Sequence, residues 1–195
     1  IMIIGQVLEN PSKIAQIICH TAVKEGIRFD GVDETFQIAD PNKEICFIRF
    51  GEGFHNPFVP KGCCNVMVGM IAGETARWAA EYLETDGTVI VNTWDNEPTF
   101  LPPGVEEHPL PEQSIELLSK ISKNILKVPA TFLAVNAGGF YVLNAVMLGA
   151  LMAGIELPIS VEKVRETINE LVHKWQLDKF QKAFELGYEY VSKLQ

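Results

Sequence analysis

The chain has 195 residues, 47% apolar and 21% charged, with 16 basic against 25 acidic side chains and a net charge of −9. That balance repels phosphate backbones and anionic headgroups, which counts against nucleic-acid and membrane-surface partners, and the composition excludes disordered, collagen-like and disulfide-rich classes. The length suits one domain with a sizeable core, and a mean hydropathy of +0.11, with fewer charges than the roughly 25% of an ordinary soluble domain, leaves surface for another subunit to cover.

Met2 to Val7 is a short apolar run that reads as a strand. Asn10 follows as an N-cap and Pro11 as the first helical residue, with Ile14, Ile17, Ile18 and Ala22 at helical spacing and Gly26 as the stop. Glu34 to Ile38 and Ile45 to Phe50 read as strands, and Gly51, Glu52 and Gly53 form a hairpin-like turn into a strand over Phe54 to Phe58. Asn65 to Met70 is a buried-strand run, Glu74 to Leu83 a helix opened by Gly73, and Thr88 to Asn92 a strand entered through an Asp86–Gly87 turn. Glu97 to Pro111 holds prolines at 98, 102, 103, 109 and 111, which suits a semi-rigid loop over a sheet edge. Pro111 opens a helix carrying Ile115, Leu118 and Ile121, and Thr131 to Val135 supplies a further strand.

From Val128 to Ile155 there is no charge over 28 residues. Pro129, Asn136, Gly138 and Gly139 interrupt the run, and the remaining helix, Phe140 to Ile155, is shorter than the roughly 20 residues of a membrane span. It reads as a buried helix, with Ala145, Gly149 and Ala153 four apart on one face, packed on the chain's own sheet or forming a subunit seam. Two helices close the sequence, one with Val161, Val164, Ile168, Leu171 and Trp175, the other with Leu177, Phe180, Phe184, Tyr188 and Val191. The sum is a three-layer α/β/α fold with a mixed, mostly parallel sheet and a helical C-terminal tail. Residues 1–195 read as a single domain, 1–158 the α/β core and 159–195 the C-terminal helices.

No catalytic residue is assigned. His20, His55, His108 and His173 belong to no metal-binding pattern, and Cys19, Cys46, Cys63 and Cys64 include no CxxC, so no metal site or iron–sulfur cluster is expected on this chain alone. The cysteines point to a reducing compartment. With no basic leader ahead of an apolar stretch, and Gln195 spoiling a peroxisomal tripeptide, the cytoplasm is the expected location. GxSxG, Walker and complete GxGxxG motifs are absent. Three places offer ligand or interface loops: Gly5 and Gln6 where a strand turns into a helix, Asn92, Thr93 and Trp94 at a strand's C-terminal end, and Asn136, Gly138 and Gly139 before the uncharged helix. Asn144 inside that helix needs partners for a buried amide, so it pins a neighbouring loop or reaches across an interface.

Several ordered segments resemble one family. Ile48-Arg49-Phe50-Gly51-Glu52, then Pro57 and Pro60-Lys61-Gly62, are similar to the middle of the gamma-type subunit of 2-oxoacid:acceptor (ferredoxin) oxidoreductases. Gly87-Thr88-Val89-Ile90-Val91-Asn92-Thr93, with Pro102-Pro103 beyond, resembles the same subunit's next strand and loop. Asn144 to Leu151 and Lys182-Ala183-Phe184-Glu185-Leu186-Gly187 resemble its C-terminal signature, closest to the indolepyruvate type.

The resemblance implies a non-autonomous subunit. Companion chains would hold thiamine diphosphate, magnesium and iron–sulfur clusters and convert a 2-oxoacid of the pyruvate or indolepyruvate type, with coenzyme A as co-substrate, to acyl-CoA and carbon dioxide, passing electrons to ferredoxin. This chain would pack against the thiamine-diphosphate-binding subunit and help enclose coenzyme A. Two loops depart from the family pattern. Of its opening GxGGQG turn only Gly5 and Gln6 remain, between Ile4 and Val7, and Ile38-Ala39-Asp40-Pro41-Asn42-Lys43 stands where an Arg-Gly-Gly segment is usual. The alternative is therefore a divergent member acting as a structural or regulatory module, expected to be a homodimer indifferent to coenzyme A. An independent nucleotide-binding protein is the third reading.

Overall fold

Alternation along each strand sorts the apolar residues onto two sides of one sheet. In the computed structural model, which describes residues 1–32, 43–52, 56–94 and 110–195, β1 (Met2–Gln6), β2 (Phe29–Val32), β3 (Lys43–Phe50), β4 (Cys64–Gly69), β5 (Leu83–Asn92) and β6 (Asn124–Val128) form one six-stranded sheet in the order β2-β3-β1-β4-β5-β6. β1, β4, β5 and β6 run parallel, with Met2 opposite Met67, Val68 opposite Ile90 and Val91 opposite Lys127. β3 is antiparallel to both β1 and β2.

Met2, Ile4, Ile45, Phe47, Met67, Val89 and Val91 face a core closed by α2 (Ala72–Tyr82) and α3 (Pro111–Ile121), through residues such as Trp78, Ala79 and Leu118. Ile3, Cys46, Ile48, Val66, Val68 and Ile90 face the other way. There they meet α1 (Pro11–Lys24), α4 (Ala130–Ala137), α5 (Leu143–Gly154), α6 (Val161–Leu171) and α7 (Lys174–Ser192). The fold is the expected three-layer α/β/α arrangement.

The Asn10–Pro11 start of α1 stands as read, with Asn10 Oδ1 accepting from the Lys13 amide at 3.1 Å. Four local readings change. Thr131 to Val135 is not a strand but part of α4, because Ala130, Ala134 and Ala137 present a buried helical stripe and a side chain from β5 caps the first turn. The strand at this place is β6, seven residues earlier and half-exposed at the sheet edge. Asp86–Gly87 does not precede β5 but interrupts it. Leu83 pairs with Cys64 and Thr88 with Val66, and the extra residues are held by Asn124 Nδ2 donating to Asp86 O at 3.0 Å and Ser122 Oγ to Gly87 O at 2.7 Å.

Asn56 to Phe58 is not a strand either; Arg49 Nη1 donates to the Asn56 and Phe58 carbonyls at 2.9 and 3.3 Å, so a side chain replaces the ladder. Trp175 leaves the stripe of the penultimate helix: α6 ends at Leu171, Val172 is extended, and Trp175 stands in the first turn of α7, 70% exposed. The strand expected over 34–38, residues 53–55 of the hairpin, the departing loop at 38–42, most of the proline-rich loop, and His55 and His108 lie outside the described residues.

The small-residue face of α5 packs on α7 of the same chain rather than on the sheet. A Cβ at Gly149 would lie 2.0 Å from Phe184 O, and one at Gly187 would lie 2.0 Å from Val146 O. The two glycines face each other's backbones across the crossing.

Candidate functional site

The parallel strands end along one edge of the sheet, at Gln6, Gly69, Asn92 and Val128. Ligands of open α/β sheets gather at such edges, because the strand-to-helix turns leave backbone groups free there. The first turn is already occupied by its own side chain. Glu9, 5% exposed, folds back so that its Oε2 accepts from the Gln6 amide at 2.8 Å, and a Cβ at Gly5 would lie 2.9 Å from that same oxygen. The donor an anion would need at Gln6 therefore serves a buried carboxylate. The Gln6-to-Glu9 spacing of a capping box is the signal that marks Glu9 in sequence.

Asn92, 1% exposed, joins three chain segments at this edge. Its Nδ2 donates to Met70 O at 3.1 Å, to Thr131 Oγ1 at 3.0 Å and to Trp94 O. Its Oδ1 accepts from the amides of Trp94, Ala130 and Thr131 at 3.3, 3.1 and 3.3 Å. Those last two are unsatisfied donors of the α4 N-terminus, so Asn92 is a cap supplied from a distant strand. Thr93 continues the pairing through its amide to Val128 O at 2.9 Å.

Asn136, Gly138 and Gly139 form the C-terminal end of α4. The glycine amides return to Ala134 O at 3.1 and 3.0 Å, and φ values of +132° and +146° explain why glycine stands at both positions. Lys182 Nζ donates to Asn136 O at 3.0 Å, a cation on carbonyls as the helix dipole favours. A short 3-10 turn, Phe140–Val142, leads into α5, where Asn144 Nδ2 points to Asn10 O at 3.4 Å. The structure thus brings Asn144 to the turn after β1, and places Asn92 and Thr93 at one end of α4 and Gly138 and Gly139 at the other.

Around these turns stand large apolar side chains in solvent: Val7 and Leu8 after β1, Trp94 after β5, Phe132 and Val135 on α4, and Tyr141 and Trp175 beyond it. Scattered apolar residues need no explanation, and Val23 on α1, Leu117 on α3 and Leu194 are exposed elsewhere, but seven such side chains around the turns of one sheet edge mark a surface suited to being covered. The electrostatics of the same edge centre on Glu74 in the first turn of α2, which accepts from Lys43 Nζ at 2.7 Å and from Arg77 Nη2 at 2.6 Å. Lys43 opens β3 directly opposite Gln6. Burial pushes the Glu74 carboxyl up, but the Lys43 and Arg77 hydrogen bonds and charges outweigh it and hold it below its ordinary 4.5.

A carboxylate with a lowered pKa contributes stability that is complete above the unfolded value and is lost as pH falls through the folded one. Replacing Glu74 by Gln is expected to cost about 1–3 kcal/mol at neutral pH. The gap from wild type should narrow below pH 4.5, and urea melts of both proteins at pH 7 and pH 3.5 check it. A constant gap would remove the pairing as its cause.

No group of three or more His, Cys, Asp or Glu side chains is placed to hold a metal among the described residues. The cysteines do not fit a cluster: Cys19 is on α1, Cys46 and Cys64 are buried on β3 and β4, and Cys63 is exposed beside them. Burial pushes the Cys64 thiol up, away from the thiolate a metal requires. No single described helix is long and apolar enough to cross a membrane.

A family model for pyruvate ferredoxin/flavodoxin oxidoreductase matches residues 12–190. Indolepyruvate oxidoreductase subunit IorB of Archaeoglobus fulgidus is 26% identical over 189 residues, 96% of this chain and 92% of that protein. Among solved structures, the gamma subunit of a keto/oxoacid ferredoxin oxidoreductase from Geobacter sulfurreducens superposes with a TM-score of 0.69 at 17% identity, covering 97% of this chain and 96% of that one. The 2-oxoglutarate:ferredoxin oxidoreductase of Magnetococcus marinus, solved with 2-oxoglutarate, coenzyme A and succinyl-CoA bound, contains the same fold over 31% of its chain, with a TM-score of 0.66 at 14% identity and all of this chain covered.

Proposed function

The chain belongs to the pyruvate ferredoxin/flavodoxin oxidoreductase family, and from that premise we propose that it works as the gamma-type subunit of a cytoplasmic 2-oxoacid:ferredoxin oxidoreductase. The proposed reaction is oxidative decarboxylation of a 2-oxoacid of the pyruvate or indolepyruvate type to an acyl-CoA, with electrons leaving on ferredoxin. Thiamine diphosphate, magnesium and iron–sulfur clusters are assigned to companion chains and supply the carbanion and electron-transfer chemistry. Cysteines dispersed over α1, β3 and β4 support that division. Residues 1–195 act as one gamma-type unit, in which the C-terminal helices after 158 cover one face of the sheet.

The observation that carries the reading is the apolar rim. Leu8, Trp94, Phe132 and Trp175 are each at least 64% exposed around the edge where Asn92 and Gly138–Gly139 fix the loops. We assign this rim to the thiamine-diphosphate-binding subunit, with Gly5, Gln6, Asn92, Thr93, Asn136, Gly138, Gly139 and Asn144 shaping it and coenzyme A enclosed between the chains. Aromatic side chains dominate the energetics of such contacts. Co-expression with a thiamine-diphosphate-binding subunit of the same family should yield a complex that reduces a low-potential acceptor when 2-oxoacid and coenzyme A are added. The double variant Leu8→Asp/Phe132→Asp should lower recovery of that complex at least about 10-fold while melting like wild type. Undiminished recovery removes the rim from the interface.

One observation favours a second reading. The buried Glu9 carboxylate occupies the Gln6 amide and places negative charge where the turn after β1 would receive a phosphate. A divergent structural or regulatory module would keep the fold and lose that contact. It would purify as a homodimer, bind no coenzyme A, and leave 2-oxoacid-dependent acceptor reduction unchanged when added to the partner.

A further inference from the structure

Among the described residues, most basic side chains pair with this chain's own carboxylates, as Lys24 does with Glu170, Lys61 with Glu81 and Arg165 with Glu185. Lys13, Lys123, Lys127, Lys174, Lys179 and Lys182 have no carboxylate at ion-pair distance among those residues. Lys123 and Lys127 stand beside and on the edge strand β6. The other four surround one part of the rim. Lys13 shares a cavity wall with Tyr141 and Trp175, and Lys174 adjoins Trp175 in the first turn of α7. Lys179 Nζ lies 5.5 Å from the centre of the Tyr141 ring, and Lys182 Nζ reaches Asn136 O. In a chain with 25 acidic side chains to 16 basic ones this is a local reversal of charge, with Asp178 the single acid between His173 and Lys182.

The cluster also opposes its own helix. The N-terminus of α7 is the positive end of the helix dipole, where carboxylates are favoured and cations are not. Its first turn nevertheless holds Lys174 and no acid, its last turn holds no base, and Glu185 and Glu189 fall in the later half. Such an order of charges, without a counter-ion in the same chain, calls for one from outside.

We propose that the partner subunit meets this rim with an acidic face, its carboxylates lying against Lys13, Lys174, Lys179 and Lys182 around the Tyr141 and Trp175 rings. This rests on the assignment of the rim to the thiamine-diphosphate-binding subunit and names the chemistry of that subunit's contacting surface. Protein carboxylates suit the cluster better than a phosphate does. Phosphate sites draw on backbone amides and arginine forks, and the amides of this edge are already bonded, Gln6 to Glu9, Gly138 and Gly139 to Ala134 O, Ala130 and Thr131 to Asn92. The four cations are all lysines, and they flank exposed aromatic rings as a polar border flanks the apolar centre of a protein interface.

The test measures binding of the full chain to a thiamine-diphosphate-binding subunit of the same family by surface plasmon resonance, at about 50 and about 500 mM sodium chloride. Wild-type affinity should fall at least about 10-fold at the higher salt. At low salt Lys174→Glu/Lys179→Glu should bind at least about 10-fold more weakly than wild type, mostly through slower association, with a smaller deficit at high salt. That variant should melt at or above the wild-type temperature, because carboxylates near the start of α7 suit its dipole; if it melts lower, Lys174→Glu alone carries the comparison. Lys123→Glu/Lys193→Glu, an equal change of charge away from the rim, should bind within about 2-fold of wild type. Salt-independent binding, or equal losses in the two double variants, overturns the proposal, while the rim assignment still stands or falls on Leu8→Asp/Phe132→Asp. A Lys174→Glu/Lys179→Glu complex that assembles normally but needs more coenzyme A gives these lysines to phosphate and also overturns it. Failure of the wild-type chain to bind at either salt removes both.

Discussion

Gly149→Ala is expected to lower stability by about 2–4 kcal/mol, although alanine is the better helix former by about 1 kcal/mol. The reason is the crossing of α5 and α7. The added methyl would meet Phe184 O at 2.0 Å, and the obstacle is backbone, which cannot rotate aside as a side chain would. Even a close Cα–H···O contact keeps carbon and oxygen about 3.3 Å apart, so the helices must separate by roughly 1 Å along their whole contact. That separation loosens Val146, Ala150, Ala183 and Phe184, all essentially buried. For a chain of this size the loss corresponds to a fall in melting temperature of about 5–15 °C.

Gly187→Ala should behave alike, because its methyl would meet Val146 O at the same 2.0 Å. The double variant distinguishes this account from two independent defects. Once one methyl has forced the helices apart, the second enters space already opened, so the pair should cost less than the sum of the singles by about 1 kcal/mol or more. Additive losses, or a Gly149→Ala protein that melts with wild type, would contradict the close crossing.

How far such features were legible depends on whether their signal is local. The start of α1 was readable because Asn10 and Pro11 carry the cap and first-turn chemistry side by side. α4 was not, because a five-residue apolar run fits either period and its cap comes from Asn92, on another strand. β6 escaped notice since an edge strand lacks the continuous apolar run of a buried one. Half of the helix crossing could be read: Ala145, Gly149 and Ala153 announce a close approach, but nothing in that spacing says that the approaching partner is α7.

The candidate site divides in the same way. Residue type and position placed Asn92 at a strand end and flagged Asn144 as a buried amide, and both are buried, Asn92 bonded to Met70 O and Asn144 reaching Asn10 O from α5. The missed members act through long-range contacts. Glu74 meets Lys43 from another element, and Trp175 meets Tyr141 only once the break after Leu171 turns the chain. Glu9 was missed for a different reason. A buried carboxylate in a strand-to-helix turn runs against the expectation that such a turn faces an anion, and only the spacing to Gln6 hints at it.

Asn92 supports the second large expected effect. Asn92→Ala removes both halves of the amide, leaving the Ala130 and Thr131 amides and the Met70 carbonyl without their partner. The expected loss is about 3–5 kcal/mol, with faster hydrogen exchange at Ala130 and Thr131 than elsewhere in α4. Asn92→Asp separates the two halves. Its first carboxylate oxygen can still accept from the helix N-terminus, while the second takes the place of Nδ2 and faces the carbonyl oxygens of Met70 and Trp94. Burial and those carbonyls raise the pKa of the introduced acid above that of an exposed carboxylate. The folded state then binds more protons than the unfolded one, so stability falls as pH rises through this window and recovers as pH drops. At pH 7 the Asp variant should therefore stand well below wild type, and by pH 4 its deficit should have shrunk, since the protonated oxygen can again donate to Met70 O. The deficit of Asn92→Ala has no such group to titrate and should stay constant over the same range. Urea melts of the three proteins at pH 4 and pH 7 separate the outcomes; parallel behaviour of the two variants would mean that the Nδ2 contacts contribute nothing to holding this edge together.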